Sequence, residues 1–385
     1  MSGTRPTDHD GKGEILMSWR KYLSESVHTA EQLCLALGRP TSEIARYERI
    51  IRRFPMLIPP YYLSLIDPND PSDPIARMCI PSEEELLPGG NFDTSGEQSN
   101  TMQRGVQHKY RQTALILSTN VCAMYCRHCF RKRLVGLDDE ELNRQVDEAA
   151  AYVRAHPEIT NVLISGGDAL MNPNAILERY LKEFCSVDHL DLIRFGSRVP
   201  VTFPQRITED RALLELFSRY SSQKPLYIVT QFNHPREITP ASVAAVRAFQ
   251  KRNVQVRNQT VLLRGVNDDP ETLGTLLRRL TQVEIVPYYI FQCRPVTGVK
   301  ARFQVPLLEG VKIVDAAKSM QSGIGKVVRF AMSHPRGKIE ILGCSRENEM
   351  LFKFHQNKHA EDCAKIFSTA LSPEHTWLDA ELNGI

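Results

Sequence analysis

Three cysteines, Cys122, Cys126 and Cys129, stand in a C-x3-C-x2-C spacing directly after the apolar run Thr113 to Ser118. Three thiolates on one short loop can converge on a metal centre. A structural zinc takes four ligands and is closed, whereas a four-iron cluster held by three cysteines keeps one iron open for a ligand that is not protein. No fourth Cys or His follows at finger-like distance, which favours the open iron over a zinc completed from afar or three buried thiols. Gly166, Gly167 and Asp168 follow a second apolar run. Two glycines let a backbone approach a ligand closely, and the carboxylate is an acceptor for a bound ammonium; an ordinary strand-to-helix turn has the same composition.

The string Y-C-R-H-C-F-R-K-R from Tyr125 to Arg133 resembles the radical S-adenosylmethionine (SAM) enzymes, and within them the lysine 2,3-aminomutase family. The resemblance continues in order through I-S-G-G-D-A-L at Ile164, F-G-S-R-V-P at Phe195, P-Q-R-I-T at Pro204, F-N-H-P at Phe232 and N-Q-T-V-L-L-R-G-V-N-D at Asn258. It covers most of residues 40 to 345.

This resemblance implies a [4Fe-4S] cluster on the three cysteines. It further implies SAM held by Ser165, Gly166, Gly167 and Asp168 at its amino group and by Ser197, Arg198, Gln231 and Gln259 elsewhere, with Gln231 standing where the aminomutases commonly have His. An external one-electron reductant then cleaves the sulfonium to a 5′-deoxyadenosyl radical that takes hydrogen from an unactivated carbon. An aminomutase also holds the migrating nitrogen as an imine of pyridoxal phosphate (PLP), which needs a lysine. Lys338, in S-H-P-R-G-K-I-E-I-L, aligns with that lysine and is expected on a short loop beside the barrel end, with Lys109 and Tyr110 facing the PLP. A surface lysine in a hairpin is the alternative. Ser333, His334, Pro335 and Arg336 replace the glycines usual before it, and Thr113 replaces a family arginine.

Arg131 matches the arginine that holds the substrate α-carboxylate, unless it is a solvated member of the run R-K-R. Where the family's lysine enzymes place two aspartates around the distal ammonium, this chain has Arg294 and, approximately, Ala331. A cation there reverses the preferred ligand charge and points to an acidic, glutamate-like amino acid, provided Arg294 does not turn away to a local carboxylate. The zinc-binding cysteines of the lysine enzymes have no counterparts: Asp269 follows V-N-D, only Cys344 and Cys363 lie late in the chain, and no zinc site is expected. Two other readings remain at this point: a protein-lysine 2,3-aminomutase of the elongation-factor-modifying type or another radical SAM reaction on an amino acid, and a metal-stapled nucleic-acid-binding protein. Balanced charge and few aromatics near the loop weigh against nucleic acid.

These residues need a scaffold. From Gly105 short apolar runs alternate with helical patterns. Strands are expected at Thr113 to Ser118, Asn161 to Ile164, Leu190 to Arg194, Leu226 to Thr230, Gln259 to Leu263 and Glu284 to Gln292. Helices are expected at Asp138 to Ala155, Asn174 to Cys185, Glu209 to Tyr220, Pro240 to Lys251 and Pro270 to Thr281. Six such units read as an α/β fold, a partial (β/α)6 TIM-like barrel, with the motifs at the C-terminal ends of its strands. The expected division is an N-terminal helical and Pro-rich wrap over 1–104, with helix across residues 14 to 55 and an irregular stretch to Pro88, a catalytic barrel over 105–345, and a tail over 346–385. With 48 basic and 45 acidic residues in 385, the net charge of +3 makes no argument for nucleic acid. Nine irregularly spaced cysteines are not a disulfide framework, and neither a signal peptide nor a membrane span is apparent, so a cytoplasmic protein is expected. Dimer and tetramer both stay open.

Overall fold

The computed structural model describes residues 19–137, 141–143, 145–346 and 348–385. One sheet of twelve strands follows chain order, and its centre is parallel. There β3 (Thr113–Thr119), β4 (Asn161–Gly166), β5 (Leu192–Gly196), β6 (Leu226–Thr230), β7 (Val254–Leu262), β8 (Val286–Gln292) and β9 (Arg329–His334) each pair in parallel with the next. Antiparallel strands extend both edges: β1 (Thr101–Gln103) and β2 (Val106–Tyr110) before β3, and β10 (Gly337–Arg346), β11 (Glu349–Asn357) and β12 (Ile366–Ala370) after β9.

Among the helices that precede the sheet are α1 (Ala30–Ala36) and α2 (Ile44–Arg53), separated at Pro40, and two short ones, Pro60–Leu63 and Pro74–Cys79, lie in the stretch expected to be irregular. The crossover helices are α3 (Val146–Arg154), α4 (Asn174–Cys185), α5 (Arg211–Ser221), α6 (Pro240–Gln250), α7 (Pro270–Gln282) and α8 (Leu307–Ser319). Side-chain caps fix their starts. Asp210 accepts from Leu213 N at 2.8 Å before α5, and Thr239 from Ser242 N at 3.1 Å before α6. Asp269, which takes the place of a zinc-binding cysteine in the resemblance, is the cap of α7 and accepts from Thr272 N at 2.8 Å. Apolar faces of these helices close on the sheet through ring contacts such as Phe195–Phe217 and Phe217–Phe249, with centroids 5.0 and 5.1 Å apart.

All six expected parallel strands are present, and β9 adds a seventh. Lys338 is not on a loop. The two-residue turn Pro335–Arg336 joins β9 to β10, and Lys338 is the second residue of β10, opposite Ser333 on β9 and Gln356 on β11. Gly337 is required there, because a Cβ would collide with the Gln356 carbonyl. The helix expected from Asp138 begins only at Val146, since Asn143 N donates to Leu117 O at 2.7 Å and pins that segment to β3. Residues 138–140 and 144 of that expectation, and 14–18 of the N-terminal one, lie outside the described residues.

The sheet runs unbroken across both expected divisions, since β1 before residue 104 pairs with β2 after it, and β11 beyond 346 pairs with β10. Among the described residues no helix is long and apolar enough to cross a membrane.

Candidate active site

A cavity of about 620 Å³ runs through the barrel. Cys122, Cys126 and Cys129 line it from the loop after β3, and Thr113 and Asn161, the first residues of β3 and β4, line its other end. The candidate cofactor and substrate residues all line this one cavity: Ser165, Gly166, Gly167, Asp168, Ser197, Arg198, Gln231, Gln259, Lys109, Tyr110, Arg131, Arg294 and Lys338; Ala331 does not. Gly167, Asp168, Ser197, Arg198, Gln231 and Arg294 sit just past a strand's C-terminal end, whereas Ser165 and Gly166 close β4 and Lys109, Tyr110 and Lys338 lie on β2 and β10. Gln259 lies within β7, which starts five residues earlier than expected.

The glycines bring two chain segments together. Gly167 N donates to Thr119 O at 2.5 Å and Asp168 N to Val121 O at 2.8 Å, and a Cβ on Gly167 would stand 2.5 Å from Val121 O. Gly166 has φ +119°, open to glycine alone. The close approach expected toward a ligand is thus made, in the structure, toward the cysteine loop. Asp168 joins a third segment, accepting from Leu170 N at 3.0 Å, Arg198 N at 2.6 Å and Val199 N at 3.1 Å. Burial pushes its carboxyl up, while Ser197 and these backbone N–H groups hold it back.

Arg198 extends the chain of contacts. It donates to Cys126 Sγ at 2.7 Å, to Glu237 Oε1 at 2.6 Å and to Gln231 O at 2.9 Å. Glu237 Oε1 also accepts from Tyr62 OH at 2.6 Å, so the N-terminal wrap reaches the site. Gln231 Nε2 lies 3.2 Å from His128 Nε2.

The basic run R-K-R is buried in ion pairs, so neither the solvated reading of Arg131 nor the nucleic-acid reading fits it. Arg131 meets Glu97 Oε1 at 3.0 Å and Ser165 Oγ at 3.0 Å, Arg133 meets Glu97 Oε2 at 2.8 Å, and Lys132 meets Glu85 Oε2 at 2.6 Å. Glu85 also binds Arg127 and Arg302, and it is wholly buried. Sequence reasoning missed both glutamates, which lie in polar stretches without pattern.

Arg294 stands apart. Its guanidinium lies over Phe130 with Cζ 4.1 Å from the ring centroid, and Arg131 lies over the same ring at 4.6 Å. Among the described residues no carboxylate pairs with Arg294; it has not turned away to a local acid. Lys338 has no hydrogen-bond or ion-pair partner among the described residues either, and its Nζ lies 4.5 Å from the Tyr289 ring centroid and 5.8 Å from that of Tyr110. Burial, then Arg194, Lys109 and Arg294, lower its amine to about 7. Lys109 itself is tethered, donating to Ser95 O at 2.9 Å and His334 O at 2.5 Å.

Comparison with known proteins agrees with this geometry. The radical SAM superfamily profile matches residues 116–277. The L-lysine 2,3-aminomutase of Clostridium subterminale is 36% identical over 322 residues, 83% of this chain and 76% of its own. A protein of Aquifex aeolicus (strain VF5) provisionally given the same name is 42% identical over 342 residues, 88% of this chain and 91% of its own. The chain belongs to the lysine 2,3-aminomutase family of radical SAM enzymes. A further relative, the glutamate 2,3-aminomutase of Clostridioides difficile (strain 630), is 35% identical over 324 residues, 83% of this chain and 75% of its own.

As a member of this family the protein is an isomerase that uses a [4Fe-4S] cluster, SAM and PLP. The side chains fit these groups. Among the described residues no three His, Cys, Asp or Glu are gathered tightly enough for a single metal ion. The cysteine loop nevertheless faces one cavity, and in a four-iron cube each thiolate takes a different iron, which suits a wider set. Burial raises the Cys122 thiol and pushes Cys129 up to about 11, so cluster assembly must displace protons. A buried lysine without a partner, lining a cavity rich in cations, fits an aldehyde cofactor that carries a phosphate.

Proposed function

We propose that this aminomutase acts on a free acidic α-amino acid of glutamate-like length, moving its α-amino group to the β-carbon. Arg294 carries the argument. A guanidinium with no carboxylate partner lining the cavity favours an anion, and it shares the Phe130 face with Arg131, so one side chain can hold the α-carboxylate while the other holds the distal one. A lysine ammonium at the same place would face Arg294 with like charge. The net change is an isomerisation: one C–N bond breaks at Cα, one forms at Cβ, and a hydrogen moves the opposite way.

When bound, the cluster and SAM supply a hydrogen-abstracting radical, and PLP carries the migrating nitrogen. The protein's own residues position and shield. In the proposed arrangement Cys122, Cys126 and Cys129 hold the cluster, and the segment Ser165 to Asp168, with Ser197, Arg198, Gln231 and Gln259, surrounds SAM. Lys338 attaches PLP, with Lys109 and Tyr110 beside it. Glu97, which pairs with Arg131 in the absence of substrate, yields that guanidinium to the incoming carboxylate. An external one-electron reductant and a reducing, cytoplasmic setting complete the proposal. In this reading the three sections of chain serve as wrap, catalytic barrel and C-terminal cover.

The test is anaerobic reconstitution followed by turnover of L-glutamate and L-lysine, with β-amino products read by NMR. Faster turnover of glutamate is expected. Preferential turnover of lysine would refute the reading.

A further inference from the structure

The cavity has a second cationic pole, away from the Arg131–Arg294 pair. Arg194, the third residue of β5, lines it near the N-terminal ends of the strands. Its Nη2 donates to Asn161 Oδ1, its Nε is buried without any acceptor, and among the described residues it has no carboxylate partner. Asn161 cannot swing to complete that coordination. Its Oδ1 also accepts from Thr113 Oγ1 at 3.2 Å, and its Nδ2 donates to Gln112 O at 2.8 Å. Arg257 lines the same region from β7, over the Tyr227 ring at 5.6 Å, and donates to Val256 O at 3.2 Å. A buried guanidinium with an unmet N–H and no counter-charge is costly unless a ligand brings the anion.

Two poles of one sign divide the work. Lys338 lines the same cavity as Arg194 and Arg294, and the charges of both reach its amine. A ligand joined to Lys338 at one end and carrying an anion at the other can direct that anion toward Arg194, leaving Arg131 and Arg294 to carboxylates of a second molecule. Lys109 is the other cation close to Lys338, but its amine is already engaged by two backbone carbonyls.

Resting on the reading of Lys338 as the PLP lysine, we infer that Arg194, fixed by Asn161, anchors the PLP phosphate at the N-terminal end of the barrel. It is a cofactor-binding residue, and it sets the orientation in which the ring meets substrate.

The experiment uses the full chain with its cluster reconstituted, stripped of PLP, and compares PLP with pyridoxal, which lacks the phosphate. Attachment is read as borohydride-trapped pyridoxyl on Lys338 by peptide mapping, and affinity by absorbance titration. Arg194→Gln should weaken PLP about 10- to 100-fold, the range of one charge-assisted hydrogen bond, and leave pyridoxal within about 3-fold. Arg194→Lys should recover part of the loss, and inorganic phosphate should compete with PLP in the unsubstituted protein only. Unchanged PLP affinity in Arg194→Gln would place the phosphate elsewhere and overturn the assignment. Equal loss of PLP and pyridoxal would also overturn it, by showing general damage to the cavity. Absence of pyridoxyl on Lys338 in the unsubstituted protein would refute the PLP reading of Lys338 and this inference with it.

Discussion

The reactivity of Lys338 should be unusual for a lysine in its dependence on pH. The neutral amine is the form that attacks an aldehyde. Burial lowers it from the ordinary 10.5 to about 7, helped by Arg194 from β5, Lys109 from β2 and Arg294 beyond β8. From the remaining sides it faces the rings of Tyr110, Tyr289 and Phe291, and His355 of β11, which burial holds neutral with a value of about 4. Among the described residues no carboxylate opposes these cations at the amine. At pH 7 about half the Lys338 amine is therefore neutral, against about one part in 3,000 for an ordinary lysine, roughly a thousandfold difference in reactive form. The assay follows borohydride-trappable attachment of pyridoxal to the apo-protein from pH 5 to 10, divided by the rate with a small lysine model so that the reagent's own ionisations cancel. This ratio should be level below about pH 7 and fall about tenfold per unit above it, where the Lys338 amine is already neutral and the model amine keeps climbing toward its own pKa. A protein rate that tracks the model amine across the whole range would refute an amine held uncharged by burial and its neighbouring cations.

Other outcomes follow from particular contacts. Arg294→Gln should lower kcat/KM for glutamate about 10- to 150-fold, the loss of a charge-assisted pair, while pyridoxyl is still trapped on Lys338. Gly167→Ala sets a Cβ against Val121 O, a backbone atom that can move only with the cysteine loop; the variant should lose most of its bound iron by colorimetric assay while its far-UV CD persists. Glu85→Gln removes the only carboxylate among the described residues that Lys132 contacts and should cost about 3–5 kcal/mol in denaturant unfolding. Burial pushes the Glu85 carboxyl up, but Arg127, Lys132 and Arg302 overcome it and hold it near 2. Its stabilisation is thus complete above the unfolded value of about 4.3 and is lost as pH falls from there toward 2, a decline that Glu85→Gln should not show.

The parallel sheet was legible because buried strands such as β4 and β6 are short apolar runs between helices with strong start signals, as at Thr239–Pro240 and Asp269–Pro270. The hairpin that carries Lys338 was not. His334–Pro335–Arg336–Gly337 reads as a loop, and only its pairing with β9 and β11 makes Lys338 part of a strand. The cysteine loop and its glycines were found from spacing. Glu85 and Glu97 were not, because partners 34 to 217 residues away in the chain give a carboxylate no local signature. Arg194 did leave a signal, a charge inside the apolar run L-D-L-I-R-F-G, where alternation points it inward.

The charge balance inside the barrel links these observations. Seven basic side chains and two carboxylates line the cavity, whereas the whole chain carries only +3, so positive charge is concentrated where ligands go. Both lining carboxylates are engaged within the protein, Asp168 by backbone N–H groups and Glu97 by Arg131 and Arg133. The remaining cations repel one another until anions enter, and the phosphate of PLP and the two carboxylates of an acidic substrate are anions of that kind. Binding free energy of such ligands is added to folding free energy, because the unfolded chain offers them no assembled site. The empty barrel is accordingly the least stable form of the protein. Phosphate-bearing PLP should raise its thermal transition more than pyridoxal does, and the dicarboxylate should raise it further, whereas lysine, with an ammonium directed at Arg294, should not.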